Sequence, residues 1–166
     1  KTESDNLIIC FCEQITTVQY TLTPENGGDP VVFTYFDELG NGVEPIITGG
    51  TLSANQTYKG KIDIFDDSGS LPENLSKEIS SEAAYYQFFF NSTIPGIEVS
   101  YDDIDENGNP LGIESILTTS EVGDSGTLTI TLRVEPDKYA DGATEGNIEN
   151  VGGETDIEIS FPIIIE

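Results

Sequence analysis

Residues 126–135 read GTLTITLRVE. Leu128, Ile130, Leu132 and Val134 fall on one side of an extended chain, and Thr127, Thr129, Thr131 and Arg133 on the other. Successive strand side chains point to opposite faces, so one face of this segment belongs to a core and the other to water. That alternation is the mark of an antiparallel sheet covered on one side. ETDIEISFPIII (154–165) repeats it with Ile157, Ile159 and Phe161. Working outward, further β-rich runs are ITTVQYTLT (15–23), PVVFTYFD (30–37), TYKGKIDIF (57–65), YYQFFFN (85–91), GIEVSYDD (96–103) and GIESILTT (112–119). Turn-forming stretches separate them: PENGGDP (24–30), GNG (40–42), TGG (48–50), DDSGS (66–70), DENGNP (105–110), GDSG (123–126) and NVGG (150–153). Short strands broken at even spacing by Gly, Pro and Asn describe a sandwich.

One segment departs from this period. In PENLSKEISSEAA (72–84), Leu75, Ile79 and Ala83 recur every four residues, which predicts a short helix crossing between the sheets. FFF (88–90) puts an aromatic ring on both faces of its strand, and predicts a central strand covered on both sides. The expected fold is an all-β, Ig-like antiparallel β-sandwich of eight to ten strands with one short helical crossover. Residues 14–166 form its single domain, behind an N-terminal segment, 1–13.

Composition narrows the function. The chain has 166 residues, 31 Asp plus Glu against 6 Lys plus Arg, and a net charge of −25. That field repels phosphate backbones and anionic lipid, so nucleic acid and membrane surfaces are not its partners; cations and basic proteins are. His, Met and Trp are absent, which removes the commonest general base and every Ser-His-Asp, Cys-His or histidine–zinc arrangement. Without an initiator Met the chain is expected to be mature or trimmed. No apolar run approaches the ~20 residues of a membrane helix. Hydrolysis by two carboxylates is the remaining enzymatic class. With acids this abundant some pair always lies close, so the pair carries no signal, and the reading is non-enzymatic. Cys10 and Cys12 flank Phe11. They point to one face of a strand but are too close in sequence for an unstrained disulfide. Two semi-buried thiols, a soft-metal pair and a link to another chain all stay open.

The one motif with metal chemistry is DIDENGNPLGIE (103–114). It matches the calcium-loop pattern D-x-D-x-[DN]-G-x5-E, in which acidic and amide oxygens at alternate positions surround calcium and a glycine permits the sharp turn. The candidate ligands are Asp103, Asp105 and Asn107. The flanks are strands, so this is not a helix–loop–helix hand. Pairing the apolar faces Ile97/Val99/Tyr101 and Leu111/Ile113/Leu117 sets 101 opposite 113 and 103 opposite 111, centred on Asn107. In that register Glu114 points away from Asp103 and Asp105. The competing reading is an acidic β-hairpin with Asn-Gly at its tip. It is the weightier of the two. Asp63, Asp66 and Asp67 are a second acidic cluster, read first as a solvated strand end.

The segments EQITTVQYTLTP, PIITGGTLSANQTYKGKIDIFD, YYQFFF, DIDENGNPLG, GTLTITLRVEPDK and GGETDIEISF together resemble a family of Bacteroidota outer-membrane lipoproteins often called "type 1 periplasmic binding fold superfamily" proteins. The resemblance spans roughly residues 14–166. It implies a small lipid-anchored β-protein at the cell surface or in the periplasm. Its implied role is accessory to a TonB-dependent outer-membrane uptake receptor. The named fold would alternate strand and helix, which this chain does not. Where the family commonly carries histidines, before Gln-Phe-Phe and after Leu-Arg, this chain has Tyr86 and Val134. The family's D-x-D-G-D-G stretch is DELGNG (37–42) here. The alternative to a receptor accessory is a structural or adhesive extracellular β-sandwich, steadied by calcium.

Overall fold

The computed structural model describes residues 14–121 and 123–166; the N-terminal segment, with Cys10 and Cys12, lies outside the described residues. In chain order the elements are β1 (Thr17–Pro24), β2 (Val31–Phe36), β3 (Ile46–Thr48), β4 (Gly50–Leu52), β5 (Thr57–Asp66), β6 (Glu73–Asn74), α1 (Leu75–Ser81), β7 (Tyr86–Ser92), β8 (Glu98–Tyr101), β9 (Glu114–Thr118), β10 (Ser125–Val134) and β11 (Glu154–Ile165). They make two sheets. The larger runs β3-β2-β1-β5-β9-β8, with β6 attached to β5, and the smaller runs β4-β11-β10-β7. The expected all-β sandwich is the observed fold, with eleven strands among the described residues in place of the expected eight to ten.

The alternating strands do as their pattern requires. Tyr20, Leu22, Phe33, Ile62 and Ile64 of the larger sheet meet Phe88, Leu128, Ile130, Leu132, Ile159 and Phe161 of the smaller, all essentially without solvent contact. Phe33 stands between Tyr20 and Phe161, its ring centroid 6.2 Å from one and 5.6 Å from the other. Those spacings suit tilted aromatic packing, and burial of these rings together with the surrounding Leu, Ile and Val side chains drives the two sheets to close. The helical crossover is α1. Asn74 caps it through Ser76 N–H, and Leu75 and Ile79 bury against the core, as their four-residue spacing demands.

Four details differ from the reading of the sequence. The TGG stretch is not a simple turn. Thr48 ends β3 on the larger sheet, and Gly50 starts β4 on the smaller. The chain changes sheets at Gly49, where an added Cβ would lie 1.6 Å from the Pro162 carbonyl oxygen. Only glycine permits that approach. Secondly, β4 joins β11 in parallel, the one exception to antiparallel pairing among the described strands. Thirdly, β7 is an edge strand, not a central one. Its two faces are covered all the same. Phe88 and Phe90 face the core, and Phe89 packs under Ala143 and Val151 from the long connection between β10 and β11. That connection also covers Thr131, which alternation alone places in water.

The fourth difference is the hairpin register. Tyr101 faces Ser115, two residues on from the predicted Ile113. At the tip, Ile104 faces Pro110, which matches the predicted centre on Asn107. The two registers are reconciled by extra residues at 111–113. That stretch leaves its hairpin partner to serve both sheets: Leu111 O accepts from Phe88 N–H at 2.7 Å, and Ile113 O accepts from Ile62 N–H at 2.9 Å. It thereby seals the free edge of β7.

Candidate functional site

The calcium-type loop is folded around an ammonium group. Asp105 begins a three-residue loop in which Gly108, at φ +83°, donates to Asp105 O and Asp105 donates to Asn109 O. This is the hairpin geometry in which glycine takes the left-handed position. The Asp105 carboxylate turns inward. Its Oδ1 accepts from Asn107 N–H at 2.8 Å and Asn109 N–H at 2.9 Å, and its Oδ2 accepts from Lys138 Nζ at 3.0 Å. Lys138 also donates to Ala83 O at 2.7 Å and Pro110 O at 2.9 Å. All three ammonium protons thus have acceptors, and both side chains are out of water, 3 % and 1 % exposed.

The electrostatics follow from this cage. Burial raises the Asp105 carboxyl, but the Asn109 and Asn107 amides and the Lys138 ammonium outweigh it and hold it below the usual carboxylate value. Burial pulls the Lys138 ammonium down from its ordinary value, opposed by Asp105 and, farther off, Asp103. Neutralising either partner, by protonating Asp105 or deprotonating Lys138, would strand the other, so the pair is held ionised at neutral pH.

The other predicted ligands serve different ends. Asp103 caps the irregular stretch, accepting from Gly112 N–H at 2.6 Å and Glu114 N–H at 2.9 Å. Asn107 is exposed at the tip. Glu114 points to the outer face of the larger sheet, beside Lys59, Lys61 and Asp102. Asp103, Asp105 and Asn107 therefore stand close in sequence, but the two carboxylates spend their oxygens on backbone amides and on Lys138. A divalent ion at this loop would have to displace the ammonium. Among the described residues no group of three or more His, Cys, Asp or Glu side chains is arranged to hold a metal. The cluster of Asp63, Asp66 and Asp67 disperses likewise: Asp63 meets Lys61 at 3.5 Å, Asp66 accepts from Ser68 and Gln14, and Asp67 accepts from Thr17 at 2.7 Å.

No periodicity or motif marked Lys138. Its one signal is scarcity, a cation beside Pro136 in a chain with few. Tyr86 of β7 and Val134 of β10 are direct cross-strand partners. Tyr86 is buried, and burial together with the charges of Glu82, Asp156, Glu78 and Glu135 raises its hydroxyl well above the usual value.

A second feature had no sequence signal at all. β11 pairs with β10 along its length, but on its other side only Ile163–Ile165 pair, with β4. Among the described residues, 154–162 on that side and the outer edge of β3 carry no partner strand. Between these two edges lies a groove of about 450 Å³. Ile15, Tyr35, Ile47 and Ile157 supply its apolar lining, and Asp156 and Glu158 its acids. Asp156 is the extra residue of a bulge, since Leu132 faces Ile157 and Arg133 faces Thr155. Asp156 is exposed as a residue, and partial burial of its carboxyl in the bulge pushes it above its ordinary value. The loop beside the groove is built on Asp37, which accepts from Gly42, Leu39 and Tyr35. These donors, Gly42 foremost, hold its carboxyl below the ordinary value.

Comparison with known protein families, with curated proteins and with solved structures finds no match.

Proposed function

We propose that this chain is a non-enzymatic binding domain, an accessory subunit that docks onto an outer-membrane, TonB-dependent uptake receptor from the cell surface or periplasm. The observation that carries the reading is the disposition of charge. Against a net charge of −25, Lys138 is folded into the interior and Lys61 is taken up by Asp63, so the outside of a stiff sandwich is left acidic. Such a surface steers toward a basic partner and rejects copies of itself. The segments that resemble the lipoprotein family supply the receptor and the lipid anchor. Diffuse counter-ions screen the acidic exterior, while inside the 103–114 loop Lys138 serves as the cation.

The test is isolation of the chain from its native outer membrane. The reading requires a β-barrel protein at fixed stoichiometry that dissociates as salt is raised. A lone monomer indifferent to every barrel protein sinks it. That outcome would leave the second reading, a structural surface domain, which the closed Lys138–Asp105 cage favours because it rigidifies three loops at once.

A further inference from the structure

We infer that the open side of the sandwich, between the free edges of β11 and β3, is a docking groove for an extended, cationic segment of a partner protein. The segment adds as a strand to β11 and places a Lys or Arg against Asp156 and Glu158. The inference rests on the docking reading above and names the place and the mode.

Three independent features meet at this groove. The first is backbone: β11 is twelve residues long, yet over 154–162 it offers its N–H and C=O groups on one side to no described strand. An unpaired edge is a template for strand addition. Natural edges are usually shortened or covered, and β7 of the same sheet is covered, by residues 111–113 and Tyr101. Among the described residues, the contrast within one sheet sets the β11 edge apart as the one without a cover.

The second is apolar exposure. Ile46 is 64 % and Val43 72 % exposed, Leu39 67 %, and Ile47 37 %, all in β3 or the loop leading to it. Of these Ile47 lines the groove, with Ile15, Ile157 and Tyr35, and the other three flank its lining residues along the chain. Alternate side chains of an added strand would reach that lining.

The third is charge. Asp156 and Glu158 stand on the open edge, and no described cation pairs with either; Glu158 accepts only from the Thr131 hydroxyl, at 3.2 Å. Tyr86, whose hydroxyl is raised first by burial, is raised further by Glu82, Asp156, Glu78 and Glu135. A second copy of this chain would bring the same charge to the interface and is repelled, so the occupant is cationic.

The experiment uses the full chain and a synthetic peptide alternating Lys with Val and Thr, with the all-Glu analogue as control. Binding is read by fluorescence anisotropy and by amide hydrogen exchange. The proposal requires the Lys peptide to bind, the Glu peptide not to, and protection to rise at 154–161 and 46–48. Asp156→Asn with Glu158→Gln should weaken binding about tenfold, as expected for two partly shielded ion pairs. Glu98→Gln with Glu114→Gln, on the far edge of the larger sheet, should leave it unchanged. Equal weakening by both pairs, or protection spread over the whole acidic surface, overturns the groove in favour of diffuse charge attraction. Failure of the Lys peptide to bind also overturns it. If the chain holds its barrel receptor regardless of the Asp156 and Glu158 changes, the groove is wrong and the docking reading stands.

Discussion

Replacing Lys138 with methionine keeps most of the stem volume and deletes the charge. Three acceptors then lose their donor at once: Asp105 Oδ2, Ala83 O and Pro110 O. Breaking a buried ion pair from one side costs about 3–5 kcal/mol, because the charge left behind stays desolvated. Asp105 keeps its two amide donors, Asn107 and Asn109, which sets the expectation at the lower end, about 3 kcal/mol. For a chain of this length that lowers Tm by roughly 6–12 °C. The pH dependence separates this cause from lost packing. Without the ammonium, burial dominates and the Asp105 pKa rises above its unfolded value. The folded variant then takes up a proton before the unfolded chain does. Its deficit relative to wild type should therefore narrow as pH falls from neutrality toward about 4. Adding Asp105→Asn to Lys138→Met removes the stranded charge and should recover about 1–2 kcal/mol, read as a coupling energy in a double-mutant cycle by urea unfolding. A loss under about 1 kcal/mol, or a deficit that ignores pH, would refute the argument that a buried ammonium closes this loop.

Gly49→Ala should prevent folding or cost more than about 3 kcal/mol, since the new methyl would sit 1.6 Å from the Pro162 carbonyl oxygen; thermal melts and expression yield report it. Glu114→Gln should change stability by less than about 0.5 kcal/mol, because the side chain is exposed on the outer face of the larger sheet; a larger loss in urea unfolding would restore it to the loop. Millimolar calcium should shift the wild-type melt by less than about 1 °C, and a larger rise that chelator reverses would show the loop yielding Lys138 to the ion. Stability should rise on mild acidification, as self-repulsion eases and Asp156, with its raised pKa, takes up a proton. Below pH 3.8 it should fall: Asp37, Asp66 and Asp105 have depressed pKa values, so what they contribute is present above the unfolded value and lost as pH drops through the folded ones. A monotonic loss from pH 7 downward, by chemical denaturation across pH, contradicts this.

The alternating strands were readable because their information is local. A residue in GTLTITLRVE is assigned a face by its immediate neighbours, and burial of one face follows wherever the strand sits. The same holds for α1, where four-residue spacing of Leu75 and Ile79 faces the core. β3, β4 and β6 escaped because two or three residues hold too little periodicity to register. Their existence depends on what lies beside them, such as Pro162 at the Gly49 crossing. The hairpin centre on Asn107 was legible from the turn chemistry, while its register slipped because Leu111 and Ile113 bond to β7 and β5, across contacts no local pattern announces.

The sequence by itself determined the class of fold, the two-faced strands, the helical crossover, the acidic field and the absence of histidine chemistry. Each is a matter of composition or of neighbours along the chain. Tertiary structure alone decided which cation meets Asp105, since Lys138 is thirty-three residues away and reaches it only when the β10–β11 connection folds over β7. It alone left residues 154–162 of β11 without a partner strand among the described residues, because an edge is a property of what packs beside a strand. A motif specifies donors; the fold decides what they are given to hold.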